Sequence, residues 1–192
     1  LLASVAAVIT SYFFRGTDVL FSFELLDAWR VKDIVFYVLL GLATGIASVY
    51  FSKMYFLITR FFSRFSNAYI KIGIAAIAIG FMLYLFPPLY GEGYGLINNL
   101  LNGNTEVALS GIQYQIDFNN IWMVIVILLI IAVFKAIAMT TTFAAGGVGG
   151  IFIPTLFMGS ALGNAVAKAI NQFGFEVSEA NFTLIGMTGL MA

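Results

Sequence analysis

Residues 121–154 read IWMVIVILLIIAVFKAIAMTTTFAAGGVGGIFIP, and this stretch decides the fold. Its first part, Ile121 to Met139, is apolar except for Lys135. A helix needs roughly 20 such residues to cross a bilayer core of about 30 Å. A Thr/Ala/Gly segment, Thr140 to Gly150, follows this part. A second helix is predicted from Ile151 to Ile170, so the stretch is two helices joined by a glycine-rich junction.

The whole chain has the composition of a helical membrane protein. Of its 192 residues, 61% are apolar and 9% are charged, whereas an average soluble domain is about 25% charged. Nine basic residues balance nine acidic ones, so no nucleic acid partner is indicated. The absence of histidine and cysteine removes Cys/His metal sites, disulfides and Ser–His catalysis. We therefore predict an all-α, polytopic integral membrane protein with tilted and re-entrant helices.

Further apolar segments lie on both sides of residues 121–154. In chain order, the other predicted helices are Leu1 to Phe14, Ile34 to Phe65, Ile72 to Phe86, the short Gly91 to Gly103, and one starting at Asn181. Polar loops are predicted at Arg15 to Asp33 and at Asn104 to Asp117. Because both ends of the chain fall inside apolar runs, we expect residues 1–192 to be part of one transmembrane domain, truncated at both ends.

Basic residues predict the orientation in the membrane. The charges between Asp33 and Glu92 are all positive: Lys53, Arg60, Arg64 and Lys71. The positive-inside rule then places the turn near Ser66 in the cytoplasm and the two polar loops outside. The carboxylates expected in outer loops are Asp18, Glu24, Asp27, Glu92 and Glu106.

Two GxxxG patterns indicate close helix packing. They are Gly41 to Gly45 and Gly159 to Gly163, and small residues at this spacing let helix backbones approach each other. In a glycine-rich apolar sequence such patterns also arise by chance, and they do not identify a dimer interface.

The glycine-rich junction is the candidate functional site. Four glycines among residues 146–150 allow backbone conformations with φ > 0. The first N–H groups of the next helix have no intrahelical partner and lie at the positive end of its dipole. Pro154 suits the first turn, where its missing N–H costs nothing. At membrane depth such a helix start is an anion site built from backbone. The structural alternative is a glycine hinge whose N–H groups bond to neighbouring carbonyls.

Polar side chains near the junction also have two interpretations. Lys135 is ionisable within an apolar span, which marks a functional candidate that would add positive potential to an inner anion vestibule. We favour the alternative, in which its side chain snorkels to the cytoplasmic interface. Thr140, Thr141 and Thr142 would line an aqueous path or, more commonly, bond back to carbonyls of their own helix.

Residues 149–154, GGIFIP, resemble the GxFxP motif of the CLC family of chloride channels and chloride/proton antiporters. Residues 91–97, GEGYGLI, resemble the start of the family's short helix two elements earlier. Residues 185–192, IGMTGLMA, resemble the start of the helix that follows. The resemblance covers the whole chain and keeps the order of the spans, and it implies selective movement of chloride across a membrane.

The resemblance also implies which residues would hold chloride. The backbone N–H groups of Ile151 and Phe152 would be chloride ligands, and Gly149, Gly150 and Pro154 would shape the site. Chloride would be the transported ligand, and no metal or organic cofactor is indicated.

The resemblance further implies a homodimer in which each subunit has its own pore. Leu1 to Phe14 would form part of the dimer interface, and the protein would lie in a plasma or inner membrane. The family's serine motif, gating glutamate, proton-transfer glutamate and pore tyrosine match nothing in this chain. The choice between channel and antiporter therefore stays open.

Three other functions are weighed against this one. A secondary transporter of another anionic solute could use the same half-helix device, and this alternative stays open. An enzyme is not expected, because the chain has no histidine and Ser160 has no base near it in sequence. A potassium channel is not expected either. Residues 92–95, EGYG, lack the preceding Thr-Val of a potassium filter, whose carbonyls replace the hydration shell of the ion.

Overall fold

The computed structural model describes residues 2–16, 31–113 and 116–192. Within these ranges the chain forms helices and no strand, which confirms the all-α prediction. The α-helices are α1 (Leu2–Arg15), α2 (Ile34–Phe62), α3 (Ala68–Leu85), α4 (Tyr94–Leu101), α5 (Thr105–Ala108), α6 (Ile121–Ala144), α7 (Phe152–Gln172) and α8 (Glu179–Met191). Most of the predicted loop at 15–33, with Asp18, Glu24 and Asp27, lies outside the described residues.

Among the helices that the structure describes, three are long and apolar enough to span a membrane: α2, α3 and α6. Their bounds differ from the predicted ones for local reasons. Helix α3 begins four residues early because the side chain of Asn67 accepts a hydrogen bond from the Tyr69 N–H, at 2.9 Å, and so caps the helix. Helix α6 continues past Met139 to Ala144, so the predicted end of this span was wrong.

The threonines of α6 explain why this helix continues. The hydroxyls of Thr140 and Thr142 donate to the carbonyls of Ala136 and Ala138, at 2.7 and 2.9 Å. These bonds within one turn satisfy the polar side chains without interrupting the helix. The prediction that such residues bond back to their own helix is confirmed for these two threonines.

Aromatic contacts show which positions along α6 lie beside the ends of α3 and α7. Trp122 at the start of α6 lies 6.2 Å from Phe173, just after α7, measured between ring centroids. At the end of α3, Phe86 lies 5.4 Å from Phe134 of α6. Phe134 is the fourteenth residue of α6, about 20 Å along the helix axis from its start. Helix α3 therefore ends beside the middle of α6, and the backbone then continues as a short 3-10 turn (Pro87–Leu89) and α4.

Helices α7 and α8 are packed with their backbones in contact. A Cβ added at Gly159 would lie 2.8 Å from the Met187 Cα, and one added at Gly186 would lie 2.9 Å from the Gly163 Cα. Both distances are too short for real side chains, so only glycine permits this approach. The close packing predicted from Gly159 to Gly163 is confirmed. Around Gly41 and Gly45, by contrast, the described residues leave open space within 4 Å of an added Cβ.

The core lies on the α6 and α7 side of the molecule. Ile97 and Leu100 of α4, Leu128 and Ile131 of α6, and Phe157 of α7 are fully buried in one cluster. Helices α2 and α3 instead present large apolar side chains outward, such as Ile46 and Ile77. These apolar outer surfaces suit a multi-pass integral membrane protein, because hydrocarbon tails can cover them.

Candidate anion-binding site

The end of α6 turns back through a Schellman motif. Gly146 has φ +100°, and its N–H donates to the Phe143 carbonyl at 3.0 Å. The Gly147 N–H donates to the Thr142 carbonyl at 2.9 Å. This pair of bonds satisfies carbonyls that would otherwise be unpaired at the helix end. The carbonyl end of the glycine-rich junction is therefore closed by the chain itself.

The start of α7 remains open. Ile151 stands at the N-cap position with φ −79° and ψ −28°, and no side chain caps the helix. In the described ranges, no protein atom accepts a hydrogen bond from the N–H of Ile151 or Phe152. The hydroxyl of Thr155, in the first turn of α7, donates to the Phe152 carbonyl at 2.7 Å and to the Ile151 carbonyl at 3.2 Å. The positive end of the α7 dipole thus has free donors.

A cavity of 440 Å³ lies beside this helix start, between two interruptions of the helical backbone. On one side it is lined by the turn after α3, with Leu89, Gly91 and Glu92, and on the other by Gly149 and Gly150. Lys135 of α6 lines it as well. Two segments at interruptions of the helical backbone, far apart in sequence, therefore border one cavity whose lining is mostly apolar but includes Lys135 and Glu92, as in discontinuous membrane helices that bind ions.

The structure places the predicted site residues around this cavity but not all in its wall. Gly149, Gly150 and Pro154 line it. Ile151 and Phe152 do not, and their side chains are 48% and 57% exposed in this chain. Their backbone N–H groups, rather than their side chains, are the groups of interest at this position.

The snorkelling prediction for Lys135 is wrong. Its side chain is 4% exposed, and its Nζ donates to the carbonyls of Leu89 and Gly91, at 3.0 and 2.7 Å. The ammonium also lies 4.6 Å from the centroid of the Phe157 ring, within the range of a cation–π interaction. A buried cation near the middle of α6 with two carbonyl partners is held inside the protein and does not reach the membrane interface.

Glu92 lies in a loop between α3 and α4, as predicted, and is exposed in this chain. That this loop faces the outside of the membrane stays a prediction. Glu92 also lines the cavity beside the start of α7, and the hydropathy pattern of residues 86–93 does not indicate this position. The available signal was the resemblance of residues 91–97 to a family element, which gives no side-chain role.

Comparison with known proteins places the chain in a family. The family model described as voltage gated chloride channel matches residues 1–192. The chain belongs to this CLC family. The chain is 26% identical over 208 residues to the chloride channel protein CLC-f of Arabidopsis thaliana, covering 100% of this chain and 25% of that protein.

Bacterial CLC proteins are similar to this chain to the same degree. The voltage-gated ClC-type chloride channel ClcB of Salmonella typhimurium is 23% identical over 193 residues, covering 98% of this chain and 41% of that protein. The H(+)/Cl(−) exchange transporter ClcA of Vibrio campbellii is 24% identical over 198 residues, covering 98% of this chain and 38% of that protein. The chain thus spans less than half the length of these relatives.

Proposed function

We propose that this chain forms part of the pathway by which a CLC protein moves chloride across a membrane, as a channel or a chloride/proton antiporter. The N–H groups of Ile151 and Phe152 are the proposed chloride ligands, and Gly149, Gly150 and Pro154 shape the approach to them. The observation that carries the proposal is that both N–H groups lack a protein acceptor in the described ranges. Relatives named as chloride channels and as a chloride/proton exchanger support it.

The chemistry of the helix start suits transport better than permanent binding. Peptide N–H groups and the helix dipole attract an anion without contributing a full positive charge. An ion held in this way can also leave, which conduction requires. No residue between Lys135 and Lys168 is charged, so the first four turns of α7 contribute peptide groups and no charged side chain of their own.

A backbone substitution tests the proposed ligand directly. In the whole protein, Phe152 is replaced by its α-hydroxy analogue, which converts one peptide bond to an ester. This change replaces the N–H of Phe152 by an oxygen, weakens the preceding carbonyl as an acceptor and keeps every side chain, and the control below shares the second effect. The matched control is the same replacement at Ala161, whose N–H lies within the body of α7 and far from the helix start. Chloride binding is measured by titration calorimetry, and chloride flux is measured in liposomes.

The ester at Phe152 is expected to weaken chloride binding by about tenfold or more, because a hydrogen bond to a charged group contributes roughly 1.5–3 kcal/mol. The ester at Ala161 removes one hydrogen bond from the helix and should leave the chloride affinity of the folded protein unchanged. Equal chloride affinity in the two ester variants would refute the assignment of Phe152 as a ligand.

The same liposomes separate the remaining alternatives. Flux of chloride is compared with flux of small carboxylates such as acetate, and proton movement is recorded together with chloride movement. Chloride-driven proton movement identifies an antiporter, and its absence during chloride flux identifies a channel. Preferred transport of carboxylates would favour the other class of anion transporter.

The proposal extends to assembly and to the rest of the protein. Residues 1–192 are proposed to be part of one transmembrane domain, in a homodimer whose subunits each have a pore and which acts as a transporter without a cofactor. All side chains from Leu2 to Phe14 are exposed in this chain, which suits α1 as part of the dimer interface. Subunit counting in detergent, with and without an α1 substitution such as Ile9→Asp, tests this.

A further inference from the structure

The interruption between α3 and α4 leaves carbonyl groups without helical partners beside the middle of α6. Helix α3 ends at Leu85 and α4 begins at Tyr94, and the ring contact of Phe86 with Phe134 places this interruption one residue from Lys135 along α6. Non-helical backbone inside a membrane is tolerated where it is buried in protein or lines a cavity, so that its carbonyls still have donors. The carbonyls of Leu89 and Gly91 both receive theirs from Lys135.

The ammonium of Lys135 joins three elements at one point. It bonds to the turn after α3, it is carried by α6, and it lies 4.6 Å from the ring of Phe157 in α7. The Phe157 ring in turn occupies the space beside Gly93, where an added Cβ would lie 2.6 Å from the Cε2 atom of that ring. The ion pair found in the described part of the chain joins Lys168 to Glu179. The direct partners of Lys135 are two backbone carbonyls and a ring, and the charge of Glu92 acts on it from farther away.

We propose that Lys135 is a positioning residue for the candidate anion site. By holding the Leu89 and Gly91 carbonyls, it fixes the wall of the cavity opposite Gly149 and Gly150. Through Phe157 it also fixes the first turns of α7 relative to that wall. This role deepens the proposed chloride function and rests on it, since a shifted wall changes the access of chloride to the start of α7.

The substitution Lys135→Met removes the ammonium and keeps an unbranched apolar chain. The carbonyls of Leu89 and Gly91 therefore lose the donor that Lys135 gives them. The cost of such unpaired groups falls on the turn that carries them. Lys135→Arg keeps donors that reach both carbonyls and is the rescuing variant. Lys168→Met is the matched control, because Lys168 pairs with Glu179 outside the cavity.

The experiment uses the whole protein and two readouts. The first is hydrogen–deuterium exchange of the segment 86–95, compared with residues 121–134 of α6. The second is the chloride dissociation constant of the folded fraction, measured by calorimetry. Lys135→Met is expected to speed exchange in 86–95 by about tenfold with α6 unchanged, and to weaken chloride binding by about tenfold. Lys135→Arg should stay within about threefold of wild type on both readouts, and Lys168→Met should match wild type.

The outcomes separate this role from a merely structural one and from the proposed function. Faster exchange throughout the protein with unchanged chloride binding would overturn the positioning role. Unchanged exchange in 86–95 would also overturn it. If Lys135→Met speeds exchange only in segment 86–95 while the wild-type protein binds no chloride, the positioning of this segment by Lys135 is upheld and the chloride function is refuted. If Lys135→Met does not fold, Phe157→Leu takes its place, and wild-type exchange and chloride binding in that variant would overturn the proposal.

Discussion

The two interruptions of the helical backbone handle the same physical problem in opposite ways. Between α3 and α4, the carbonyls of Leu89 and Gly91 accept hydrogen bonds from the buried ammonium of Lys135. Between α6 and α7, the carbonyl end is closed by the N–H groups of Gly146 and Gly147. The amide end, at Ile151 and the following residue, is left without a protein partner in the described ranges.

This difference shows how a membrane protein can satisfy its backbone carbonyls while it leaves some backbone N–H groups available to a ligand. Unpaired carbonyls attract cations, and here the chain supplies its own cation to them. Unpaired N–H groups attract anions, and the described residues supply no acceptor to those at the start of α7. Both interruptions border one cavity of 440 Å³, where the first forms part of the wall and the second carries the proposed anion site.

The largest effect is expected at Gly93, which holds the closed interruption against α7. Gly93 has φ +89°, and a Cβ there would collide with the Phe157 ring. Gly93→Ala should therefore destabilise the protein by about 3 kcal/mol, from backbone strain and overpacking together. Gly91→Ala is the matched control, because Gly91 also has positive φ, +63°, but faces open space, and it should cost only about 1–2 kcal/mol. Thermal unfolding in detergent measures both, and equal losses would show that the Phe157 contact is unimportant.

A smaller effect is expected at the closed carbonyl end of the second interruption. Gly146 has φ +100° with open space around it, so Gly146→Ala should cost about 1–2 kcal/mol from backbone strain alone. Gly150→Ala is the comparison, since Gly150 also has open space but no positive φ, and its unfolding temperature should stay near that of wild type. A loss at Gly150 as large as that at Gly146 would contradict the Schellman geometry.

The smallest effect is expected from the carboxylate in the cavity wall. Glu92→Gln removes a negative charge beside the proposed chloride path, and the lost repulsion of about 1 kcal/mol corresponds to roughly fivefold tighter chloride binding. Glu106→Gln provides the control, because Glu106 lines a different pocket. Calorimetric titration of chloride compares the two, and equal affinities in both variants would remove Glu92 from the anion path.

Much of the helical framework could be predicted from the sequence. The apolar run from Ile121, the short helix after Gly91 and the helix start near Ile151 all appear where the pattern indicated them. The errors at helix ends have local causes, such as the Asn67 cap and the back-bonding threonines of α6. The side-chain destinations of Lys135 and Glu92 could not be predicted, because hydropathy describes a residue's own segment and not the segment packed against it.

The sequence by itself determined that the chain is helical, that it lies in a membrane and that a glycine-rich junction starts a helix there, because hydropathy and glycine conformation act over neighbouring residues. Only the tertiary structure decided that this junction lies beside the interruption after α3. The bonds that bring Lys135 to Leu89 and Gly91 join residues 46 and 44 positions apart. Such bonds form only when the packing of the helices brings the turn after α3 against α6, and no local pattern in the sequence encodes that contact.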